Sequence, residues 1–251
     1  MEVKKTLILD AGEPASKATS HLAEYPAVII TKEGRYYGII DHRNITTGIR
    51  DPSSVRCETV IVRPPVLRGS AGVLERVDAF LLGHFKALPV VAENEKPLGI
   101  TTRVELLDDI RRERLVPKES VSALMSAPVF TIDENETLAR AKKMMNDRKV
   151  NRLVVTSKGY PVGVVSSLDM AAWAIGRSLP AGRKDRSREI NASEMPISAF
   201  LRPDITSVEQ NASLDDAIRR MIEKNVSAVI VTSGRRAMGV LSALDIFKRI
   251  Q

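Results

Sequence analysis

Two stretches of the chain, Gly163-Val-Val-Ser-Ser-Leu-Asp169 and Gly239-Val-Leu-Ser-Ala-Leu-Asp245, repeat one short motif. Two weaker copies lie upstream, Gly99-Ile-Thr-Thr-Arg-Val-Glu105 and Gly38-Ile-Ile-Asp-His-Arg-Asn44. Each copy follows an apolar run and a polar turn, so the copies mark a unit of roughly sixty residues that is used four times. A repeat of this kind indicates an architecture built from four similar units.

The fourth repeat shows the elements of the unit most clearly. Ser213 is suited to cap a helix in which Leu214, Ala217 and Met221 recur on one face. Residues 228–232 are typical of a buried strand, residues 233–236 of a hairpin turn and residues 238–241 of a returning strand. A last helix is expected to begin just after Ser242. The pattern therefore predicts an α+β fold in which each repeat is β-α-β-β-α.

The other repeats follow this order with different degrees of agreement. The third has its first strand at residues 129–132, and the second is expected to have its first strand at residues 59–62. One repeat is too small to bury a full core, so we expect the repeats to pair. The predicted domains are residues 1–115, with repeats at about 1–50 and 56–114, and residues 116–251, with repeats at about 118–177 and 192–251. Residues 178–189 are expected to form a basic loop in the second pair.

The composition limits the class of protein. The chain has 251 residues, 43% hydrophobic and 27% charged, without an apolar stretch near the length of a membrane helix or a signal-peptide pattern. The lone Cys57 excludes an internal disulfide, and the three histidines lack the spacing of metal ligands. A net charge of +7 favours anionic partners, although only 4% of residues are aromatic and none interleaves with the basic runs. We expect a cytoplasmic protein without a metal site.

The repeat resembles the CBS domain (cystathionine-β-synthase domain), because a β-α-β-β-α unit that ends in Gly-h-h-Ser/Thr-x-x-Asp/Asn, where h is hydrophobic, is used in pairs. The resemblance is strongest for the third and fourth repeats and weakest for the first. It implies a stand-alone protein of two pseudo-two-fold CBS pairs that is regulatory and not catalytic. It also implies an adenosine-containing ligand (AMP, ADP, ATP or S-adenosylmethionine), a homodimer formed through the CBS pairs and an unknown regulated protein, with no required cofactor.

The resemblance also implies which residues bind the ligand. One site would combine Ser242 and Asp245 with residues of the third repeat, and its pseudo-symmetric partner would combine Ser166 and Asp169 with residues of the fourth. The first of these sets adds Phe130, Val150, Asn151 and Arg152, and the second adds Thr206, Val226 and Ser227. Thr102 and Glu105 form a weaker candidate in the second repeat, while Asp41 and Asn44 in the first repeat are expected to be structural.

The motif chemistry leaves alternatives open. The serine hydroxyl and the free N–H groups of a helix N-terminus suit a phosphate oxygen, and the carboxylate can accept hydrogen bonds from both ribose hydroxyls. The same serine and carboxylate equally suit a helix cap, and Arg152 equally suits an exposed strand start. At the level of function, the alternatives are a nucleic-acid-associated CBS protein and a ligand-free oligomerisation scaffold. An enzyme is not expected, since the sequence shows no nucleophile–base pair, metal cluster or glycine-rich phosphate loop.

Overall fold

A computed structural model of the chain describes residues 3–22, 24–41, 53–83, 85–150, 152–166, 194–201 and 205–250. Within these ranges the strands form four sheets of three strands, one sheet for each repeat. In the first three sheets the central strand runs parallel to the strand before it and antiparallel to the strand after it. The α+β fold of four repeats predicted from the sequence is confirmed.

The first two repeats contain six strands and three helices among the described residues. The first consists of β1 (Ile8–Asp10), α1 (Ala15–His21), β2 (Ala27–Lys32) and β3 (Arg35–Asp41). The second begins with a 3₁₀ turn (Cys57–Thr59) and continues with β4 (Leu67–Arg68), α2 (Val73–Leu81), β5 (Ala87–Val91), β6 (Pro97–Thr102) and α3 (Arg103–Arg112).

The third and fourth repeats follow the same order. The third has a single helical turn α4 (Val121–Leu124), β7 (Thr131–Asp133), α5 (Leu138–Arg148), β8 (Arg152–Ser157) and β9 (Tyr160–Ser166). The fourth has a 3₁₀ turn (Ile197–Phe200), β10 (Ser207–Glu209), α6 (Leu214–Glu223), β11 (Ala228–Ser233), β12 (Arg236–Ser242) and α7 (Ala243–Ile250). The expected basic loop 178–189 lies outside the described residues.

Local signals in the fourth repeat produce the elements that the sequence predicted. The Ser213 hydroxyl accepts a hydrogen bond from the Asp216 N–H at 3.1 Å, so it caps α6. The apolar stripe of α6 is buried at Leu214, Ala217 and Met221. An amphipathic helix gains most of its stability from packing of its apolar face, and the apolar face of α6 is packed.

The strand expected at residues 59–62 is wrong. Residues 57–59 form a 3₁₀ turn, and the parallel strand of the second repeat is Leu67–Arg68. Val62 instead pairs with Ile39 of the first repeat, through two backbone hydrogen bonds of 2.9 Å. A short apolar stretch such as 59–62 can pair with any free strand edge, and the edge of β3 is the one it meets.

Segments that precede a repeat cross the returning strand of the other repeat in the pair. Lys4 pairs with Ile100 on β6, as Val62 pairs with Ile39 on β3, and Ser126 pairs with Val240 on β12. Each crossing falls one residue after the glycine of the motif. The first and second repeats thereby exchange segments, and a segment of the third repeat pairs with the fourth, as expected if the repeats are paired.

These crossings explain the motif glycine. An added Cβ would lie 2.3 Å from the Lys4 carbonyl oxygen at Gly99, 2.9 Å from Ile61 Cβ at Gly38 and 2.8 Å from the Ser126 carbonyl oxygen at Gly239. Real Cβ atoms do not approach other atoms so closely, so the crossing segment can pack here only if the residue is glycine.

Contacts divide the chain into two compact units. The first comprises Met1–Glu119, Ser213–Ser227 and Ser242–Gln251, and the second comprises Ser120–Ala212 and Ala228–Leu241. The first unit thus contains the helices of the second and fourth repeats, where α2 packs on α7 and α3 on α6. This division follows contacts between helices and not the order of the repeats, so the domain bounds 1–115 and 116–251 stay a prediction.

The helix seam in the first compact unit is apolar inside and paired at its edges. The rings of Phe80 and Phe247 have centroids 6.0 Å apart, and both side chains are fully buried. At the edge, Arg111 Nε lies 2.8 Å from Asp215 Oδ1. Apolar burial, including that of the two aromatic rings, stabilises this seam more than the exposed ion pair does.

Candidate functional site

The motif of the fourth repeat places a hydroxyl and a carboxylate at the start of α7. Asp245 Oδ2 accepts hydrogen bonds from the Ser242 N–H at 2.9 Å and from the Ser242 hydroxyl at 2.6 Å. Asp245 Oδ1 has no partner among the described residues, and both side chains are half-buried. The pair therefore caps its helix with one carboxylate oxygen and keeps the other for a further donor.

The motif of the second repeat has the same geometry but no spare oxygen. Glu105 Oε2 accepts from the Thr102 N–H at 2.7 Å and from the Thr102 hydroxyl. Glu105 Oε1 lies 2.5 Å from Lys4 Nζ, and the Glu105 side chain is only 6% exposed. Thr102 and Glu105 are thus brought together as expected, with both carboxylate oxygens occupied by groups of the chain itself.

Lys4 is the residue at this site that sequence reasoning missed. It lies about a hundred positions from Glu105, and no local pattern connects the two. It reaches the carboxylate because residues 3–4 cross β6 beside the motif. The glutamate at position 105, where the third and fourth motifs have aspartate, is a local sign that this copy differs.

In the third repeat the structure brings Arg152 and Ser166 together. They are direct partners in the antiparallel pair of β8 and β9, where Ser166 is buried and Arg152 is exposed. The sequence had assigned them to different sites. Asp169 and Asn151, the other expected contributors here, lie outside the described residues.

Phe130 and Thr206 occupy equivalent places, each just before the first strand of its repeat. The Phe130 carbonyl accepts a hydrogen bond from the Val154 N–H at 3.0 Å, and the Thr206 carbonyl accepts one from the Ile230 N–H at 2.9 Å. The Phe130 ring also lies beneath the guanidinium of Arg148, 5.2 Å from its centroid.

Val150 and Val226 are equivalent in the same way. Each donates its backbone N–H to a methionine carbonyl one turn back, Met145 for Val150 and Met221 for Val226, at 2.9 Å. Ser227, the next residue, accepts a hydrogen bond from the Ala243 N–H at 2.9 Å, which fixes it beside the start of α7. Val226, Ser227, Ser242 and Asp245 therefore belong to one compact unit, and Phe130, Val150, Arg152, Ser166 and Thr206 to the other.

The first motif differs most from the others. Asp41 is buried at 4% exposure at the end of β3, and Asn44 lies outside the described residues. A buried carboxylate in the place of the hydroxyl would repel a phosphate. The structural role expected for Asp41 stays a prediction.

A groove in the second compact unit was not anticipated from the sequence. Its volume is about 400 Å³, and it lies at the hairpin end of β9, opposite the end that carries Ser166. Its lining residues come from the hairpins of the third and fourth repeats and from β10, namely Tyr160, Pro161, Ser207, Glu209, Thr232, Gly234 and Arg235. Because it is remote from Ser166, this groove and the motif are separate features.

The described residues contain neither a metal-ligand cluster nor a helix of the membrane-spanning kind. No cluster of three or more histidine, cysteine, aspartate or glutamate side chains is placed to hold a metal ion. None of the described helices is both long enough and apolar enough to cross a bilayer.

Comparisons with known proteins agree with this fold. Residues 121–176 and 197–251 match the CBS domain family. The uncharacterized protein MJ1404 of Methanocaldococcus jannaschii is 25% identical over 255 residues, covering 98% of this chain and 60% of that protein. The CBS domain-containing protein YhcV of Bacillus subtilis is 23% identical over 127 residues, covering 51% of this chain and 82% of that protein.

Two solved structures cover the whole chain. Protein MJ1225 of M. jannaschii, described as a proposed archaeal homologue of g-AMPK, has a TM-score of 0.76 at 16% identity and is covered over 98% of its length. An uncharacterized conserved protein from Pyrococcus horikoshii has a TM-score of 0.61 at 19% identity, with 97% of its length covered. At these identities the likeness concerns the fold.

The first relatives in sequence are longer than this chain, which spans 60%, 61% and 45% of their lengths. The family match falls on the third and fourth repeats, and the structure shows the same three-stranded sheet in the first and second. The third and fourth repeats are therefore CBS domains, within a chain whose four repeats share one three-stranded sheet.

Proposed function

We propose that the protein is a non-catalytic regulator that binds an adenosine-containing ligand at the motif of the fourth repeat. The observation that carries the proposal is that Asp245 Oδ1, next to the Ser242 hydroxyl at the start of an eight-residue helix, has no partner in the part of the chain that the structure describes. A carboxylate oxygen without a protein partner needs a donor, which is water in the free protein and a ribose hydroxyl in the complex.

The chemistry of the two groups suits the two ends of a nucleoside phosphate. Asp245 accepts hydrogen bonds from a vicinal diol, and the N–H groups at the start of α7 attract a phosphate oxygen. Ser242 serves as cap donor in the free protein and can turn its hydroxyl toward a phosphate. The ligand class, an adenine nucleotide or S-adenosylmethionine, is proposed from the resemblance to CBS-domain proteins and not from this geometry.

The other predicted site residues remain part of the proposal. Ser166 with Asp169 forms the second candidate motif, and the contributions of Phe130, Val150, Arg152 and Thr206 are untested. A homodimer, a regulated partner protein and a cytoplasmic location also belong to the proposal.

Calorimetric titration of the purified protein with AMP, ADP, ATP and S-adenosylmethionine tests this function. We expect at least one of them to bind the wild-type protein, and Asp245→Asn to weaken binding by about tenfold or more, since a hydrogen bond to a charged group contributes about 1.5–3 kcal/mol. Lack of binding by all four compounds, or equal binding by the variant, would overturn the proposal. Thermal melting of both proteins controls for loss of the helix cap.

A further inference from the structure

The segment of residues 3–4 lies directly on the motif of the second repeat. Lys4 and Ile100 exchange two backbone hydrogen bonds of 2.8 and 2.9 Å, which fix the segment against β6. From there the Lys4 ammonium reaches Glu105 Oε1 at 2.5 Å, while Thr102 occupies Oε2. The Thr102 N–H, the Thr102 hydroxyl and the Lys4 ammonium thus take three of the roughly four lone pairs of a carboxylate that is only 6% exposed, which leaves too few for the two hydroxyls of a diol.

The other crossings provide an internal comparison. Val62 stands at the same register on β3 and Ser126 on β12, each paired with the residue after the motif glycine. Of these three described crossing residues, Lys4 alone carries a charge. The charged residue therefore occurs at the motif whose carboxylate is a glutamate, and an uncharged serine crosses the strand that leads to Asp245.

We propose that Lys4 is an internal occupant that closes the second motif to adenosine-containing ligands. The inference rests on the proposed function, because it concerns which of the motifs accept the ligand. A ribose hydroxyl would have to displace the ammonium from the carboxylate, and this exchanges an ion pair for a hydrogen bond in which only the acceptor is charged. The Lys4 side chain is 44% exposed, so solvent reaches its contact with Glu105. We therefore expect that removal of the ammonium makes Glu105 Oε1 available to a ligand.

The contact itself can be tested without any nucleotide. Lys5 is the matched control, since it is the adjacent lysine and is exposed. During a short pulse of an amine-acetylating reagent, we expect Lys4 of the wild-type protein to be modified about three- to fivefold more slowly than Lys5, as measured by peptide mass spectrometry. In the Glu105→Gln variant the two rates should become equal. Equal rates in the wild-type protein would overturn the assignment of Lys4.

The closing role is tested by counting bound ligands. Native mass spectrometry of the full chain with ADP, and separately with S-adenosylmethionine, should show one more bound molecule per chain for Lys4→Ser than for the wild type. Lys5→Ser should show no increase. If both variants bind as many molecules as the wild type, the closing role is wrong while the proposed function stands. If neither the wild type nor either variant binds these compounds, the closing role and the proposed function are both wrong. The acetylation rates then still show whether Lys4 contacts Glu105.

Discussion

Replacement of Gly99 by alanine should detach the crossing segment from β6. The added Cβ would lie 2.3 Å from the Lys4 carbonyl oxygen, whereas ordinary contacts begin at 3.4 Å, so the segment must retreat by roughly 1 Å. The backbone at Gly99 also has a φ of +150°, a conformation that side chains disfavour. The substitution therefore disrupts the contact with the crossing segment and also strains the backbone at residue 99.

The size of the effect follows from these two causes. Loss of the two hydrogen bonds between Lys4 and Ile100 costs about 1–3 kcal/mol. A non-glycine residue in a sparsely populated backbone region costs about 1–3 kcal/mol more. We therefore expect Gly99→Ala to lower the free energy of unfolding by about 2–6 kcal/mol and Tm by roughly 5–20 °C for a chain of this size.

Urea unfolding followed by circular dichroism measures this change, with Gly72→Ala as the matched control. Gly72 precedes α2 with a φ of −72°, and no atom lies within 4 Å of its added Cβ. Its replacement should cost at most about 1 kcal/mol, the difference between glycine and alanine at a helix cap. If the two variants are equally stable, the reasoning about the motif glycine is refuted.

Three other predictions concern the core. Phe247→Ala should lower the free energy of unfolding by about 3–5 kcal/mol in denaturant titrations, because the ring is fully buried; a loss below about 1 kcal/mol would contradict the packing. Burial raises the pKa of the Cys57 thiol to about 11, so at about pH 8 it stays protonated and should react with Ellman's reagent only after denaturation; rapid reaction of the native protein would contradict this. Arg76 is 2% exposed and its guanidinium lies 2.6 Å from Asp109 Oδ2, so Arg76→Met should lower the free energy of unfolding by about 3–5 kcal/mol. Lys143 belongs to an exposed ion pair, and Lys143→Met should change the free energy of unfolding by under about 0.5 kcal/mol. Similar losses in the two variants would contradict this difference.

The fold was predictable where local signals agree with one another. The Ser213 cap, the apolar stripe of α6 and the hairpin after Ala228 all occur within one repeat, so the sequence indicated each of them. The strand predicted at residues 59–62 was wrong because apolar character alone does not specify which strand a segment pairs with. Val62 pairs with Ile39 of another repeat, and a pairing of that kind is decided by tertiary structure.

The candidate site was predictable in its motif residues and not in their surroundings. Ser242 with Asp245 and Thr102 with Glu105 are adjacent because each pair spans one helical turn. The difference between the two pairs comes from Lys4, which reaches Glu105 only because residues 3–4 cross β6. Spacing along the chain carries no information about such a contact.

The most direct test of the central claim compares ligand binding by Asp245→Asn and Glu105→Gln in one calorimetric series with the compound that the wild type binds. Because Asp245 Oδ1 has no partner among the described residues, we expect Asp245→Asn to lose about tenfold or more in affinity. The affinity of the tightest site should be unchanged in Glu105→Gln, since both oxygens of Glu105 are already engaged. Unchanged affinity in Asp245→Asn, or an equal loss in both variants, would contradict the claim that the fourth motif is the open binding site.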